Sequence, residues 1–258
     1  LQPLWNHHWS AIWGPPGTGK TYTLGQQVAA CCTFESERFL VVSTTNKATD
    51  GAAMSIGSAL RKSRSKVKLA PRIVRVGKGA NSEPYEDEEL SCLLDCSDIH
   101  LRTELAELQS SLEGETDNEV RAELQHRIGQ IRKSLKNGAL RAIKNPAHQV
   151  IVTTAFNALS LLLAEDVYSM LNDGYSPFTT VIIDEAGLVP RAAVAALSLL
   201  AATRVVLVGD PRQLAPISKI SRVTATEVAN WLSSSGLSHL ASGAEQHEAI
   251  HLLTEQHR

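Results

Sequence analysis

Five short apolar runs recur along this chain, and each ends in small or polar residues. Such runs are typical of strands buried on both faces of a parallel sheet. A helix-like segment follows each run, which predicts an α/β fold with helices on both faces of a parallel sheet. Because ligands bind at the carboxyl ends of such strands, the polar residues there are candidates for a functional site. The predicted strands are residues 10–13, 39–43, 149–152, 180–183 and 204–208.

Residues 99–136 have a different pattern, in which apolar residues recur at helical spacing and charged residues fill the other positions. This pattern predicts an antiparallel helical hairpin with a narrow apolar seam. Because the hairpin is too short to have its own core, we expect it to protrude from the α/β body as an inserted arm. The expected arm spans residues 90–145 of a single domain that covers residues 1–258. Its role is either a spacer or a surface for nucleic acid or a partner protein.

Hydrophobic residues make up 43% of the chain and the formal net charge is −2. The composition is that of an ordinary globular protein, and any surface for nucleic acid must be local. Residues 61–78 hold eight basic residues and no acidic one. Within them, residues 72–77 alternate like an exposed or half-buried edge strand. The segment is either a solvated loop with an edge strand or a contact surface for a phosphate backbone.

Neither a signal peptide nor an apolar run long enough to span a membrane is present. The four cysteines do not form a disulfide framework in a chain of this length. We therefore expect an intracellular protein, cytoplasmic or nuclear, with no membrane partner.

Residues 14–21 match the phosphate-binding loop (P-loop, or Walker A) pattern, between an apolar strand and a helix-like segment. Glycines let the backbone N–H groups point toward phosphates, and the following helix N-terminus adds partial positive charge. Lys20 is predicted to reach the β- and γ-phosphates of ATP, and the Thr21 hydroxyl to bind Mg²⁺. The predicted ATP-binding residues are Gly14, Pro15, Pro16, Gly17, Thr18, Gly19, Lys20 and Thr21.

A second motif, 181–187, is an apolar strand that ends in two acidic residues, as in a Walker B motif. Asp184 is predicted to hold Mg²⁺, and Glu185 to polarise the attacking water. A kinase does not need a water-activating residue beside its metal-binding acid, so this pair favours hydrolysis of ATP. A third motif, 209–216, follows another buried strand, and it places Gln213 to sense the γ-phosphate or to orient water.

The segments 14–21, 45–50, 184–187 and 209–216, in this order, resemble motifs I, Ia, II and III of superfamily 1 helicases. Details are similar to the Upf-like and Dna-replication-helicase-like branch, and the resemblance covers nearly the whole chain apart from the helical arm. It implies a RecA-like first motor domain that binds ATP against a second RecA-like domain. It also implies translocation along single-stranded DNA or RNA in the 5′-to-3′ direction.

The resemblance also assigns residues outside the ATP-binding motifs. The implied contacts to the nucleic-acid strand are Asn46, Lys47, Thr153 and Thr154. Arg258 matches the family arginine that contacts the γ-phosphate. The chain departs from the family pattern at Thr44, where proline is usual, and at Leu188, Arg191 and His257. Two other functions stay open, a P-loop kinase and an ATP-gated module for protein interaction.

Overall fold

The computed structural model describes residues 5–32, 34–63, 72–77, 96–218, 226–241 and 248–256. Seven strands form one sheet in the order β3-β4-β2-β5-β6-β1-β7, and every pair of neighbours is parallel. The predicted α/β architecture is therefore confirmed. The strands are β1 (Trp9–Trp13), β2 (Phe39–Ser43), β3 (Ile73–Arg75), β4 (Val150–Thr154), β5 (Phe178–Ile183), β6 (Ala201–Gly209) and β7 (Ile250–Leu252).

Ten α-helices lie in the described part of the chain, together with a short 3₁₀ helix, Ala186–Leu188. No described helix is long and apolar enough to cross a membrane. The helices are α1 (Lys20–Cys31), α2 (Asn46–Ser63), α3 (Cys96–Gly114), α4 (Asn118–Lys136), α5 (Gly138–Lys144), α6 (Ala155–Leu161), α7 (Glu165–Asn172), α8 (Arg191–Ser198), α9 (Thr226–Ser233) and α10 (Gly236–Ala241).

The core has two halves, one on each face of the sheet. Strand β2 shows why its sequence is a continuous apolar run: Phe39 and Val41 pack on one face, and Leu40 and Val42 on the other. Helices α1 and α2 cover the first face, and α5, α6 and α8 contribute to the second. Because all the strands run parallel, their carboxyl ends lie along one edge of the sheet.

Strand β3 corrects the interpretation of residues 72–77 as an exposed or half-buried strand. It lies at the edge of the sheet, yet all of its residues are buried. Arg75 is 1% exposed, and its Nε lies 2.8 Å from the Asp50 Oδ1 on α2. The Arg75 charge is needed inside the fold to balance that of Asp50. Arg75 is therefore not part of an exposed basic surface. Residues 64–71 and 78 of the basic segment lie outside the described residues.

Helices α3 and α4 form the predicted helical hairpin, joined by residues 115–117. Asp117 caps α4, since its side chain accepts hydrogen bonds from the N–H groups of Glu119 and Val120. Ile128 and Ile131 of α4 are buried. The wider boundaries 90–145 stay a prediction. Helix α5, which lies within them, contributes residues to the core of the sheet body.

Candidate nucleotide-binding site

The P-loop connects β1 to α1 and has the backbone that its glycines predict. Gly17 and Gly19 have φ of +84° and +78°, a region that residues with a Cβ rarely adopt. A Cβ on Gly14 would lie 2.4 Å from the Thr18 Oγ1 and 2.9 Å from Leu253. The Gly14 N–H donates to the Gly209 carbonyl at 3.2 Å, so the loop is also joined to the end of β6.

Lys20, the first residue of α1, lies folded against the loop. Its Nζ donates hydrogen bonds to the carbonyl oxygens of Gly14 at 2.6 Å and Pro15 at 2.9 Å. Burial lowers the pKa of Lys20, while the nearby carboxylates of Asp210, Asp184 and Glu185 act in the opposite direction. The ammonium group thus lies beside three carboxylates, and it can form a charge-assisted hydrogen bond to a phosphate.

Asp184 and Glu185 directly follow β5. Asp184 is 3% exposed, and burial raises the pKa of its carboxyl to about 6. The Glu185 N–H donates to the Asp184 Oδ1 at 2.9 Å, and the Thr44 hydroxyl donates to the Glu185 Oε2. Glu185 has φ +54°, and it is the one non-glycine residue with positive φ in the described part of the chain. Such backbone strain concentrates at functional sites.

The third segment begins at the end of β6. Asp210 is 7% exposed and accepts a hydrogen bond from the Arg212 N–H at 3.0 Å, which shapes the turn. The Gln213 N–H donates to the Asp210 carbonyl at 3.2 Å. The guanidinium of Arg212 lies over the Trp13 ring, 5.5 Å from its centroid. The turn is thus held against the strand that leads into the P-loop.

A cavity of about 710 Å³ at the carboxyl edge of the sheet brings these segments together. Its wall includes the predicted residues Lys20, Thr21, Asp184, Glu185 and Gln213. They come from three separate segments that follow β1, β5 and β6, and the order of these strands in the sheet places them side by side. A phosphate-binding loop, two acidic residues and a polar amide in one wall can bind a nucleotide and activate water.

The residues expected to contact a nucleic-acid strand differ in how exposed they are. Lys47 is exposed and lines the same cavity, whereas Asn46 accepts a hydrogen bond from the Arg75 Nη2 at 3.2 Å. Thr153 is 0% exposed, and its hydroxyl donates to the Val76 carbonyl at 3.1 Å, so no Thr153 surface is open to a strand. Thr154 is partly buried at the end of β4. Arg258 lies outside the described residues.

Two residues near the site were missed in the sequence. Phe156, two residues beyond the end of β4, is 81% exposed at the same edge of the sheet. An aromatic residue just after a polar strand end could have signalled it. Thr44 was noted only as a departure from the family pattern. Its contact with Glu185 depends on the pairing of β2 with β5, which no local pattern reveals.

A parallel sheet with a P-loop after β1 and acidic residues after β5 defines a RecA-like P-loop NTPase. A family model described as AAA domain matches residues 2–139 and, in a second and overlapping match, residues 86–220. The chain belongs to this family, which is part of the Upf-like superfamily 1 helicases. No curated protein matches the chain.

The family implies use of a nucleotide and of Mg²⁺, and the residues present fit such an ion. Mg²⁺ prefers a few hard oxygen ligands from the protein and takes the others from phosphates and water. The cavity wall offers the carboxylate of Asp184 and the hydroxyl-bearing Thr21. The Asp184 carboxylate is buried, and burial disfavours its charge, which a divalent cation would offset.

Proposed function

We propose that this chain is the ATP-hydrolysing first motor domain of a superfamily 1 helicase. It translocates 5′ to 3′ along single-stranded nucleic acid, either DNA or RNA, and unwinds duplexes. The observation that carries the proposal is the cavity that unites Lys20, Thr21, Asp184, Glu185 and Gln213. Family membership supports the helicase class, and the direction of movement follows from the resemblance to the Upf-like branch.

The proposed chemistry is attack of water on the γ-phosphorus of ATP. Lys20 would leave the loop carbonyls and bind the β- and γ-phosphates, and Thr21 and Asp184 are the residues that would hold Mg²⁺. When bound, Mg²⁺ neutralises charge on the phosphate oxygens. Glu185 accepts a proton as the water oxygen bonds to phosphorus, and the bond between the γ-phosphorus and the β–γ bridging oxygen breaks, releasing ADP. Gln213 orients the water or senses the γ-phosphate.

The site has a second wall in this proposal, supplied by another RecA-like domain of the parent protein. Arg258 is the proposed arginine of this chain toward the γ-phosphate. An arginine finger from a partner contributes roughly 10³- to 10⁵-fold in rate in P-loop enzymes. The isolated chain is therefore expected to bind ATP weakly and to hydrolyse it very slowly.

The proposed strand path crosses the carboxyl edge of β2 and β4, beside the nucleotide cavity. Ser43 and Thr154 are paired in neighbouring strands, which places Asn46, Lys47 and Thr154 along one edge. The exposed ring of Phe156 adds a surface on which a base can stack. Thr153 does not contact the strand in this proposal, because it lies inside the fold, where its hydroxyl accepts a hydrogen bond from the Asn157 Nδ2 at 3.3 Å.

The test is ATP hydrolysis by the protein with both motor domains, with and without single-stranded DNA or RNA. We expect a strand to stimulate the rate, and Lys20→Ala and Glu185→Gln each to abolish turnover. Glu185→Gln should retain ATP binding, since the P-loop and Asp184 remain. The control is Lys144→Ala, which removes an exposed lysine that pairs with Asp166 far from the cavity. No stimulation by either nucleic acid would contradict the proposal.

A second candidate function is an ATP-gated switch for protein interaction. A groove of about 410 Å³ on the hairpin favours it. Deleting residues 99–136 separates the two functions: if strand binding persists and a protein partner is lost, the hairpin is an interaction device. The groove is lined by Gln109, Leu112, Glu113, Gln125, Ile128, Gly129 and Arg132.

A further inference from the structure

A hydrogen bond joins the candidate water-activating residue to the segment expected to contact the strand. The Thr44 hydroxyl donates to the Glu185 Oε2, and both side chains are partly buried. The contact follows from the sheet, because Val42 of β2 is paired with Ile183 of β5. Thr44 and Glu185 each lie two residues beyond that pair, so the two chain segments leave the sheet side by side.

The Glu185 conformation is held by local contacts at both ends of the residue. Its N–H donates to the Asp184 Oδ1, and its carboxylate accepts from Thr44. The backbone between them is left-handed, with φ +54° and ψ +35°. A residue with a Cβ reaches this region only where its surroundings hold it there, so loss of one contact frees the side chain to take another position.

The residue after Thr44 is hydrogen-bonded to the first turn of α2. The Thr45 Oγ1 accepts a hydrogen bond from the Ala48 N–H at 3.1 Å, and the Thr45 carbonyl accepts from the Thr49 N–H at 2.9 Å. The next residue, Asn46, is bound to Arg75, while Lys47 lines the nucleotide cavity. A displacement of this compact turn by a bound strand would therefore move Thr44 with it.

We propose that Thr44 restrains the Glu185 carboxylate in an idle position until a strand binds at residues 45–47. This inference rests on the proposed function and adds a regulatory link to it. A carboxylate oxygen that accepts a hydrogen bond from Thr44 is turned toward the end of β2, and this contact holds it in place. Strand binding shifts the turn, breaks the bond and frees Glu185. Thr44 is thus a positioning residue, and proline, which the family usually has there, could not donate this bond.

The experiment compares Thr44→Val, which keeps the shape and removes the hydroxyl, with Thr44→Ser, which keeps the hydroxyl. Single-turnover ATP hydrolysis is measured with and without a single strand in the protein with both motor domains. We expect Thr44→Val to raise the strand-free rate roughly 10- to 100-fold, as expected for loss of a hydrogen bond to a charged group. The rate of Thr44→Val with a strand should stay within about twofold of wild type. The ratio of the rates with and without a strand should therefore fall in Thr44→Val, whereas Thr44→Ser should keep the wild-type ratio.

Other outcomes overturn the inference in distinguishable ways. If Thr44→Val leaves the ratio unchanged, or lowers both rates equally, Thr44 only supports the local structure and the restraint does not exist. Thr44→Ala provides the same comparison if the valine variant unfolds, and thermal unfolding checks both. A wild-type protein that no strand stimulates contradicts the proposed function and the inference together, whereas a stimulated wild type with an unchanged variant ratio contradicts the inference alone.

Discussion

Replacing Arg75 by methionine would remove a positive charge from one of the most enclosed places in the fold. The Arg75 side chain is 0% exposed and that of Asp50 is 6% exposed, with the Nε and Oδ1 atoms 2.8 Å apart. The substitution leaves the Asp50 carboxylate buried with its main opposite charge gone. Breaking a buried pair in this way costs about 3–5 kcal/mol, a large share of the roughly 5–15 kcal/mol that stabilises a typical domain.

Urea denaturation at neutral pH would measure the loss in the free energy of unfolding. For a domain of this size, about 3–5 kcal/mol also corresponds to a melting temperature lower by roughly 6–20 °C. The matched control is Arg127→Met, which breaks an ion pair of similar length on the hairpin. In that pair the Arg127 Nη2 lies 2.7 Å from the Glu104 Oε1. Its side chains are 54% and 36% exposed, so the control should cost no more than about 1 kcal/mol.

The double variant Arg75→Met with Asp50→Leu tests the physical reason. It removes both charges, so it should recover part of the stability that the single variant loses. The reasoning would be refuted if Arg75→Met unfolds within about 1 kcal/mol of wild type. If that variant also bound a single strand more weakly and with a smaller salt dependence, Arg75 would be a phosphate contact instead.

Four further predictions concern other parts of the chain. Phe156→Ala should weaken binding of a single strand about 5- to 150-fold but leave binding of an abasic strand unchanged. The control is Tyr175→Ala, which removes an exposed ring at the opposite edge of the sheet and should change neither affinity. Equal losses for both strands would exclude stacking. Burial raises the pKa of Cys32 to about 12 from its usual 9.0, so at pH 8 its thiolate is about 1000-fold scarcer than in the unfolded chain. Iodoacetamide should therefore label Cys32 only after denaturation, which peptide mass spectrometry can check. Because this folded-state pKa is raised, the same thiol should lower the free energy of unfolding as pH rises from 9 toward 12, and a stability that is flat across that window would contradict it. Ser10→Ala should raise the free energy of unfolding by about 1 kcal/mol, measured in urea, because the buried Ser10 hydroxyl has no hydrogen-bond partner among the described residues. A loss of stability would show that it has one.

Features that depend on near neighbours in the chain could be predicted from the amino-acid sequence. The apolar runs predicted five of the seven strands, because a strand buried on both faces is mostly apolar. The P-loop was visible because its glycine positions and the strand and helix around it are all local. The hairpin was visible from helical spacing, and the short strand β7, which has too few apolar residues to make a run, was not.

Which polar side chains meet, and which are buried, depends on the packing of segments that are distant in the sequence. Arg75 lies in a basic segment, yet the packing of α2 against β3 places it on Asp50. Thr153 and Thr154 are adjacent, but the first is enclosed and the second reaches the edge. Thr44 contacts Glu185, 141 positions away in the sequence, because β2 pairs with β5. Such contacts depend on the order of the strands in the sheet, and the spacing of residues along the chain does not encode that order.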